Sequence, residues 1–582
     1  MKIIKHPGFL GVCAFIFTIS VILPFSRLGV DPHHDGVMFA AAMAVRSGYQ
    51  IQKEAYAQYG PIVPWIQGIE LLIFGNKIVV IKIFSAISIA LASGCFTYFF
   101  AKRFSLKAAF LAILVWLACF PGFDASMMLL AWSSDYLLLL FGVILVLSTN
   151  LRSHSVTRNL IIKLIIGFCF GTSIFTRINS GIPVTITFMV LILALVKFNQ
   201  AKFYLIGFIT SLLIYLGYFA AIGSLNVWYE QTIEFPRKLY IGILGQGGFD
   251  GLRGNSVVNG LPAIGVTLVI FVLVRNLKPM KSLIGAKRIL YYFSIVVSPV
   301  FLTWLLGGNG KFGPLEPKLF LWAVVPAAVV FIPAAVHELL RTEVNELLEE
   351  NIVFISIAFS GLIQIFPVVD RRHLWWAALP MAGYLLNKIF LSLSRASGIL
   401  FIAIIGTLLV PQTVTLARSS LNLDRIGMDS VPSLKGSLLD RDFYIAFELQ
   451  LQAVHDYQAI HGGKSVLNLC MDGYFAAVGD RFELPDPYYV LWSLPKQRWT
   501  EEARKKYVAE TKPLIWICPT VVNYAETAST YGYRLIPMDV CIGDDPKFKT
   551  WPLIGQLAVP QEWPALAVDL RAVDSTRCQV KS

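Results

Sequence analysis

Asp31, His33, His34 and Asp35 stand together immediately after the first long apolar run of the chain. A carboxylate in a partly desolvated cleft suits the removal of a proton from a hydroxyl nucleophile, because burial raises the basicity of such a group towards neutrality. Two histidines and two carboxylates also suit coordination of a divalent cation, with His33 and His34 as nitrogen ligands. A plainer role competes with both: Asp is a preferred N-cap residue, and Asp31 and Asp35 could do no more than start the helix that follows.

Two further polar clusters interrupt apolar sequence. Thr176-Arg177-Ile178-Asn179-Ser180-Gly181 separates two apolar runs. An arginine at or in a membrane is costly unless it has a partner, and a lipid phosphate would be one. Snorkelling of Arg177 to the headgroups is the structural alternative. Gln364-Ile365-Phe366-Pro367-Val368-Val369-Asp370-Arg371-Arg372-His373 forms a second short polar turn between apolar runs. Arg371, Arg372 and His373 suit a phosphate or sugar, and the two arginines equally suit interfacial anchoring.

The elements that must position these residues follow from composition. The 582 residues are 56% hydrophobic and only 15% charged, with a mean hydropathy of +0.65, whereas soluble domains carry about 25% charged residues. Apolar runs long enough to cross a hydrocarbon core recur up to about residue 416. The segmentation gives thirteen spans: 8–29, 78–100, 108–124, 128–149, 160–176, 181–196, 203–222, 261–274, 289–306, 319–336, 352–368, 374–391 and 398–416. The first is too long for a signal-peptide core and lacks a cleavage site, so it reads as retained. The sequence thus predicts an α-helical polytopic membrane domain over 1–416 and a soluble α/β domain over 417–582.

Lys and Arg orient the spans. Loops 1–7, 101–107, 150–159, 197–202, 275–288, 337–351 and 392–397 hold 16 Lys/Arg in 65 residues, against 10 in 112 for the opposite set. The N-terminus is therefore expected on the cytoplasmic side. An odd number of spans then places residues 417–582 outside. Net charge of +13 is accounted for by Lys and Arg facing anionic lipid, and requires no nucleic acid. Cys13, Cys95, Cys119 and Cys169 fall in spans, while Cys470, Cys518, Cys541 and Cys578 fall in the outer domain, where disulfides are permitted. Four cysteines allow three pairings.

The first outer loop, 31–76, carries two predicted interfacial helices, Val37 to Ser47 ending at Gly48 and Pro61 to Phe74. Its sequence resembles the GT-C superfamily of membrane glycosyltransferases, which includes protein O-mannosyltransferases, aminoarabinose transferases and mycobacterial arabinofuranosyltransferases. The pattern is Asp35-Gly36, then Ala44-Val45-Arg46-Ser47-Gly48-Tyr49, then Tyr56-Ala57-Gln58-Tyr59-Gly60-Pro61. Asp35-Gly36 stands where the frequent form has Asp-Glu. The resemblance implies a GT-C-like fold and sugar transfer from a polyprenyl-phosphate donor to an envelope glycan, lipid or protein acceptor. It implies Asp35 as the base with Asp31 next, and His34, Gln58 and Tyr59 against substrate. Arg177, Arg371, Arg372 and His373 would hold the donor phosphate. The expected place is the outer face of a bacterial plasma membrane.

A second outer loop, 223–260, reads as another interfacial helix and then a Gly-rich stretch suited to anchoring or to a lid. In the outer domain, strand-like runs (Lys464 to Cys470, Pro513 to Cys518, Tyr533 to Met538) alternate with helical ones (Asp442 to His461, Thr500 to Glu510, Asn523 to Tyr531). Its aromatic segment Pro485 to Trp499 could stack on carbohydrate. A lipid-linked glycan ligase or polymerase would also work on this side, and a transporter is the rival from another class, although no internal repeat supports it.

Overall fold

The computed structural model describes residues 6–31, 34–57, 59–123, 128–151, 156–234 and 346–363, with parts of 375–440 and 453–564. Pro7–Ile22 (α1) begins with proline at its first position, where a missing N–H costs nothing, and runs into a 3-10 turn over Leu23–Arg27. The two interfacial helices form as His34–Arg46 (α2) and Ile62–Phe74 (α3). Ile78–Arg103 (α4), Leu106–Ala118 (α5), Ser133–Ser148 (α6), Val156–Thr176 (α7), Ile178–Leu195 (α8) and Phe198–Ala221 (α9) follow. Five described helices, among them α4 with 26 residues, are long and apolar enough to cross a membrane. The chain is a multi-pass membrane protein.

The expected span 108–124 is shorter than its apolar run. Helix α5 has 13 residues, about 20 Å at 1.5 Å per residue. It stops at Ala118 because Pro121-Gly122 cannot continue it, and a 3-10 turn takes over at Pro121–Phe123. The expected span 128–149 likewise turns helical only at Ser133. Residues 128–132 are non-helical and buried, a condition under which irregular backbone is tolerated at such depth.

Helices approach closely where small residues allow it. A Cβ on Gly167 of α7 would meet the carbonyl of Tyr204 on α9, and one on Gly207 would meet that of Leu164. Gly171 faces Ser211 one turn further along, so small residues spaced by four line both partners. Helix α1 is packed on α4, with Thr18 and Ser93 hydroxyls 2.9 Å apart.

At the end of the bundle where α4 finishes, cations meet acids of Glu346–Ile363 (α11). Lys163 donates to Glu349 Oε1 at 2.9 Å and to Gln200 at 2.6 Å. Tyr204 donates to the other Glu349 oxygen at 2.8 Å. Arg103 donates to Asn351 at 2.7 Å and lies 3.6 Å from Glu350. The acidic run at 346–351 therefore serves as the counter-charge of basic residues near the loops expected on the cytoplasmic side. The residues singled out as chemistry gather at the opposite end.

The C-terminal part contains the expected α/β layer. Val466–Leu469 (β3) pairs in parallel with Leu514–Ile517 (β4), with helix Glu501–Thr511 (α12) between them in sequence. Gln556–Pro560 (β6) pairs antiparallel with β4 and with Tyr533–Leu535 (β5), giving the order β3-β4-β6-β5. A separate hairpin, Arg425–Gly427 (β1) with Leu438–Asp440 (β2), reaches the membrane part. Gly29 donates its N–H to the Leu438 carbonyl at 2.9 Å, and Arg27 Nε donates to that of Gly436 at 2.9 Å. The aromatic segment 485–499, the four C-terminal cysteines and the spans expected over 261–336 lie outside the described residues.

Candidate active site

Asp31 and Asp35 share the start of α2 but stand in different surroundings. Asp31 caps the helix: its Oδ1 accepts the His34 N–H at 2.8 Å, and its Oδ2 lies 3.2 Å from His34 Nδ1. The capping role foreseen for Asp31 is real, yet its side chain keeps 17% of its exposure, and His34 keeps 32%. Asp35 is buried. Its Oδ1 accepts the Ala131 N–H at 2.8 Å, its Oδ2 accepts the Asp31 N–H at 3.0 Å, and Lys82 Nζ stands 3.5 Å from Oδ2.

Arg177 does not snorkel. It is fully buried at the junction of α7 and α8, in extended conformation as the N-cap of α8. Its guanidinium carbon lies 4.5 Å from the ring centroids of Tyr59 and Trp132 and 5.5 Å from that of Trp376. Nη1 donates to Ser133 at 3.2 Å and to Ser134 at 2.5 Å, and Nε donates to Asn179 at 3.1 Å. Asp135, buried in the next position of α6, is within electrostatic reach of Arg177 and Asp35.

Each part of this cage has a local cause. Gly60 brings Tyr59 in: its φ of +144° is open to glycine, and a Cβ would strike the Phe175 carbonyl. The Tyr59 carbonyl then accepts the Ile178 N–H at 3.0 Å. Trp376 is fixed by its neighbour Trp375, which stacks on Trp116 of α5 at 4.2 Å. The two indoles exchange bonds to each other's carbonyls at 2.8 and 2.7 Å. Beyond α9, Trp228 in helix Leu225–Tyr229 (α10) packs on Phe175 and Phe219.

Trp132 joins the two halves. The His34 ring meets it edge-on at 5.6 Å and Tyr59 at 6.3 Å, while Arg177 covers a face. Asp31, His34, Asp35, Tyr59 and Arg177, far apart in sequence, thus converge around 131–134. Sequence reasoning missed Lys82, Trp132, Ser133, Ser134 and Asp135. The signal available was a lone cation in Ile78-Val79-Val80-Ile81-Lys82-Ile83-Phe84 and a Trp-Ser-Ser-Asp run before an apolar helix. His33, Gln58, Arg371, Arg372 and His373 lie outside the described residues. No three His, Cys, Asp or Glu side chains form a metal-holding group among the described residues. Of the residues offered for a cation, Asp31 and His34 engage one another.

A second acid stands nearby on α3, which is too short to span. Glu70 accepts the Tyr136 hydroxyl, 3.1 Å from each carboxylate oxygen. Burial, partly offset by that hydrogen bond, pushes its carboxyl from an ordinary 4.5 up to about 8. The folded state therefore binds a proton more tightly than the unfolded chain. Stability conferred by protonated Glu70 is full below about pH 4.5 and is lost as pH rises through about 8. Glu70→Gln is expected to flatten that slope, with the Tm of the variant exceeding that of wild type at pH 8.5 by more than at pH 5.5. Parallel Tm curves for the two proteins would contradict it.

No family model matches the chain, and no curated protein matches it. Solved structures do match. ArnT from Cupriavidus metallidurans, bound to undecaprenyl phosphate, has 14% identity over 94% of this chain and 97% of its own, with a TM-score of 0.43. The Archaeoglobus fulgidus oligosaccharyltransferase AglB, in complex with an inhibitory peptide and a dolichol-phosphate, has 14% identity over 89% and 70%, with a TM-score of 0.46. The Archaeoglobus fulgidus oligosaccharyltransferase tethered to an acceptor peptide has 13% identity over 87% and 69%, with a TM-score of 0.45. This chain is similar to each of them.

Proposed function

We propose that the chain is a glycosyltransferase that moves a sugar from a polyprenyl-phosphate donor to a hydroxyl of an envelope glycan, lipid or protein. The observation that carries this reading is the pairing of a caged, fully buried arginine with a half-open Asp31–His34 couple across Trp132. A guanidinium over aromatic rings, with Nη1 and Nε already bound to Ser133, Ser134 and Asn179, is held in one orientation, and its forked donors match phosphate oxygens. Arg371, Arg372 and His373, which precede Trp376 closely in sequence, are assigned to the same phosphate.

Asp31 is assigned as the base. Asp35 has no exposed side-chain surface, its oxygens accepting two backbone N–H groups with one facing Lys82, whereas Asp31, although bound to His34, keeps 17% of its exposure and is the carboxylate of the pair that an acceptor can approach. The acceptor O–H proton passes to Asp31 as its oxygen bonds to the anomeric carbon. The bond from that carbon to the donor phosphate oxygen breaks, and the phosphate leaves with the electron pair beside Arg177. The lipid donor and inversion at the sugar are carried by the resemblance noted in the first outer loop. Gln58 and Tyr59 are assigned to substrate, and a divalent cation on Asp31 and His34 would need a third ligand such as His33. The N-terminus is placed in the cytoplasm of a bacterium and residues 417–582 outside.

The test is transfer by protein in nanodiscs, given a panel of radiolabelled polyprenyl-phosphate sugars and crude envelope acceptor, with and without EDTA. Transfer from one donor of the panel is expected. Folded protein that moves sugar from none of them refutes the reading, and solute flux would then be measured.

A further inference from the structure

A lysine that the proposed chemistry does not use is buried directly beneath this site. Lys82 lies in the second turn of α4, with no exposed side-chain surface. Its ammonium donates to the Gly29 carbonyl at 2.7 Å and the Leu28 carbonyl at 3.3 Å, and faces Asp35 Oδ2 at 3.5 Å. An apolar residue would fill this position in an apolar run without desolvating a charge, so the cation needs a reason beyond packing.

Its contacts supply one. The Gly29 peptide is held from both sides, its carbonyl by Lys82 and its N–H by the Leu438 carbonyl. Two residues on, the Asp31 N–H is bound by the Asp35 oxygen that faces Lys82. The Asp31 carbonyl accepts the N–H groups of Asp35 at 3.0 Å and Gly36 at 3.2 Å. The backbone on which the Asp31 carboxylate sits is therefore fixed before and behind, and Lys82 takes part in both fixings. We propose that Lys82 is a positioning residue, which sets Asp31 for proton removal by clamping the 28–31 segment and holding Asp35 beneath it. This rests on the assignment of Asp31 as the base. The scale of the effect follows from orientation, since a misplacement of about 1 Å can cost about 10²-fold in rate.

Lys82→Met alone would strand the Asp35 carboxylate in the interior, so the informative protein is Lys82→Met with Asp35→Asn, compared with Asp35→Asn alone. In nanodiscs the double variant is expected to fold, with a Tm a few degrees below that of wild type, because an amide accepts only one of the two N–H groups bound by Asp35. Amide hydrogen exchange at Gly29 and Asp31 should be faster by about tenfold or more. With the radiolabelled donor found active for wild type, kcat should fall by about 30- to 100-fold while the donor KM stays within about threefold, in keeping with lost orientation rather than lost binding. Asp35→Asn alone, which keeps the hold on Gly29, should lose about tenfold or less. Wild-type kcat in the double variant overturns the proposal. So does complete loss of transfer in folded Asp35→Asn, which would make Asp35 the base. If wild type transfers from no donor, the functional reading fails separately, and exchange still decides the clamp: unchanged exchange at Gly29 and Asp31 overturns it and faster exchange supports it.

Discussion

Arg177→Ala is expected to lower kcat/KM for the lipid-linked donor by about 10³-fold, the scale associated with removing a preorganised charge from a developing anion. The cause is the cage. Tyr59, Trp132 and Trp376 hold the guanidinium, and Ser133, Ser134 and Asn179 take three of its bonds. Nothing else described at this end of the bundle is a cation so placed except Lys82, which faces Asp35. Arg177→Lys should be almost as poor, because an ammonium cannot lie flat between two rings and offer a fork. Loss of Arg177 also removes a positive neighbour from buried Asp135, so the variant is to be compared with Arg177→Ala in an Asp135→Asn background at equal Tm. Transfer within about threefold of wild type in either folded protein would show that the donor phosphate is held elsewhere.

Asp31→Asn is expected to lower kcat by about 10³-fold, within the range of general-base catalysis, and to leave the donor KM unchanged. The substitution is nearly silent for the fold. Asn keeps an oxygen for the His34 N–H, and Asn and Asp are about equivalent as N-caps. The backbone carbonyl that starts α2 is untouched. A stable variant with kcat unchanged would move proton removal to another group. A matching loss in kcat and rise in KM would instead make Asp31 a binding residue.

How far the sequence could be read depended on which force set each element. Helices α2 and α3 were legible because apolar spacing and terminal glycines act locally: Gly48 has φ of +88° and Gly75 of +95°. Long spans were legible because length and composition suffice for them. The non-helical backbone at 119–120 and 128–132 was not, since an apolar run is equally suited to a helix and to buried irregular backbone, and only the surroundings choose. Lys82 and Asp135 were hidden for the same reason. Lys82 is one polar residue in apolar sequence, Asp135 closes a Ser-Ser-Asp run before an apolar helix, and the meaning of each is supplied by a partner far along the chain. Strands β1, β2 and β6 were not legible either, although β6, at five residues, is longer than β3, β4 and β5, which were legible in their apolar runs; length does not separate the two groups.

The far-end ion pairs also bear on how the chain is made. Lys163 precedes its counter-charge Glu349 by 186 residues, and Arg103 precedes Asn351 by 248. At about 5–20 residues per second of synthesis, Lys163 waits about 10–40 s for that acid. Gln200 arrives sooner but brings no charge. The small-residue faces that join α7 and α9 are complete before that acid is made. A chain that stops before α11 therefore keeps Lys163 and Arg103 without Glu349 and Asn351.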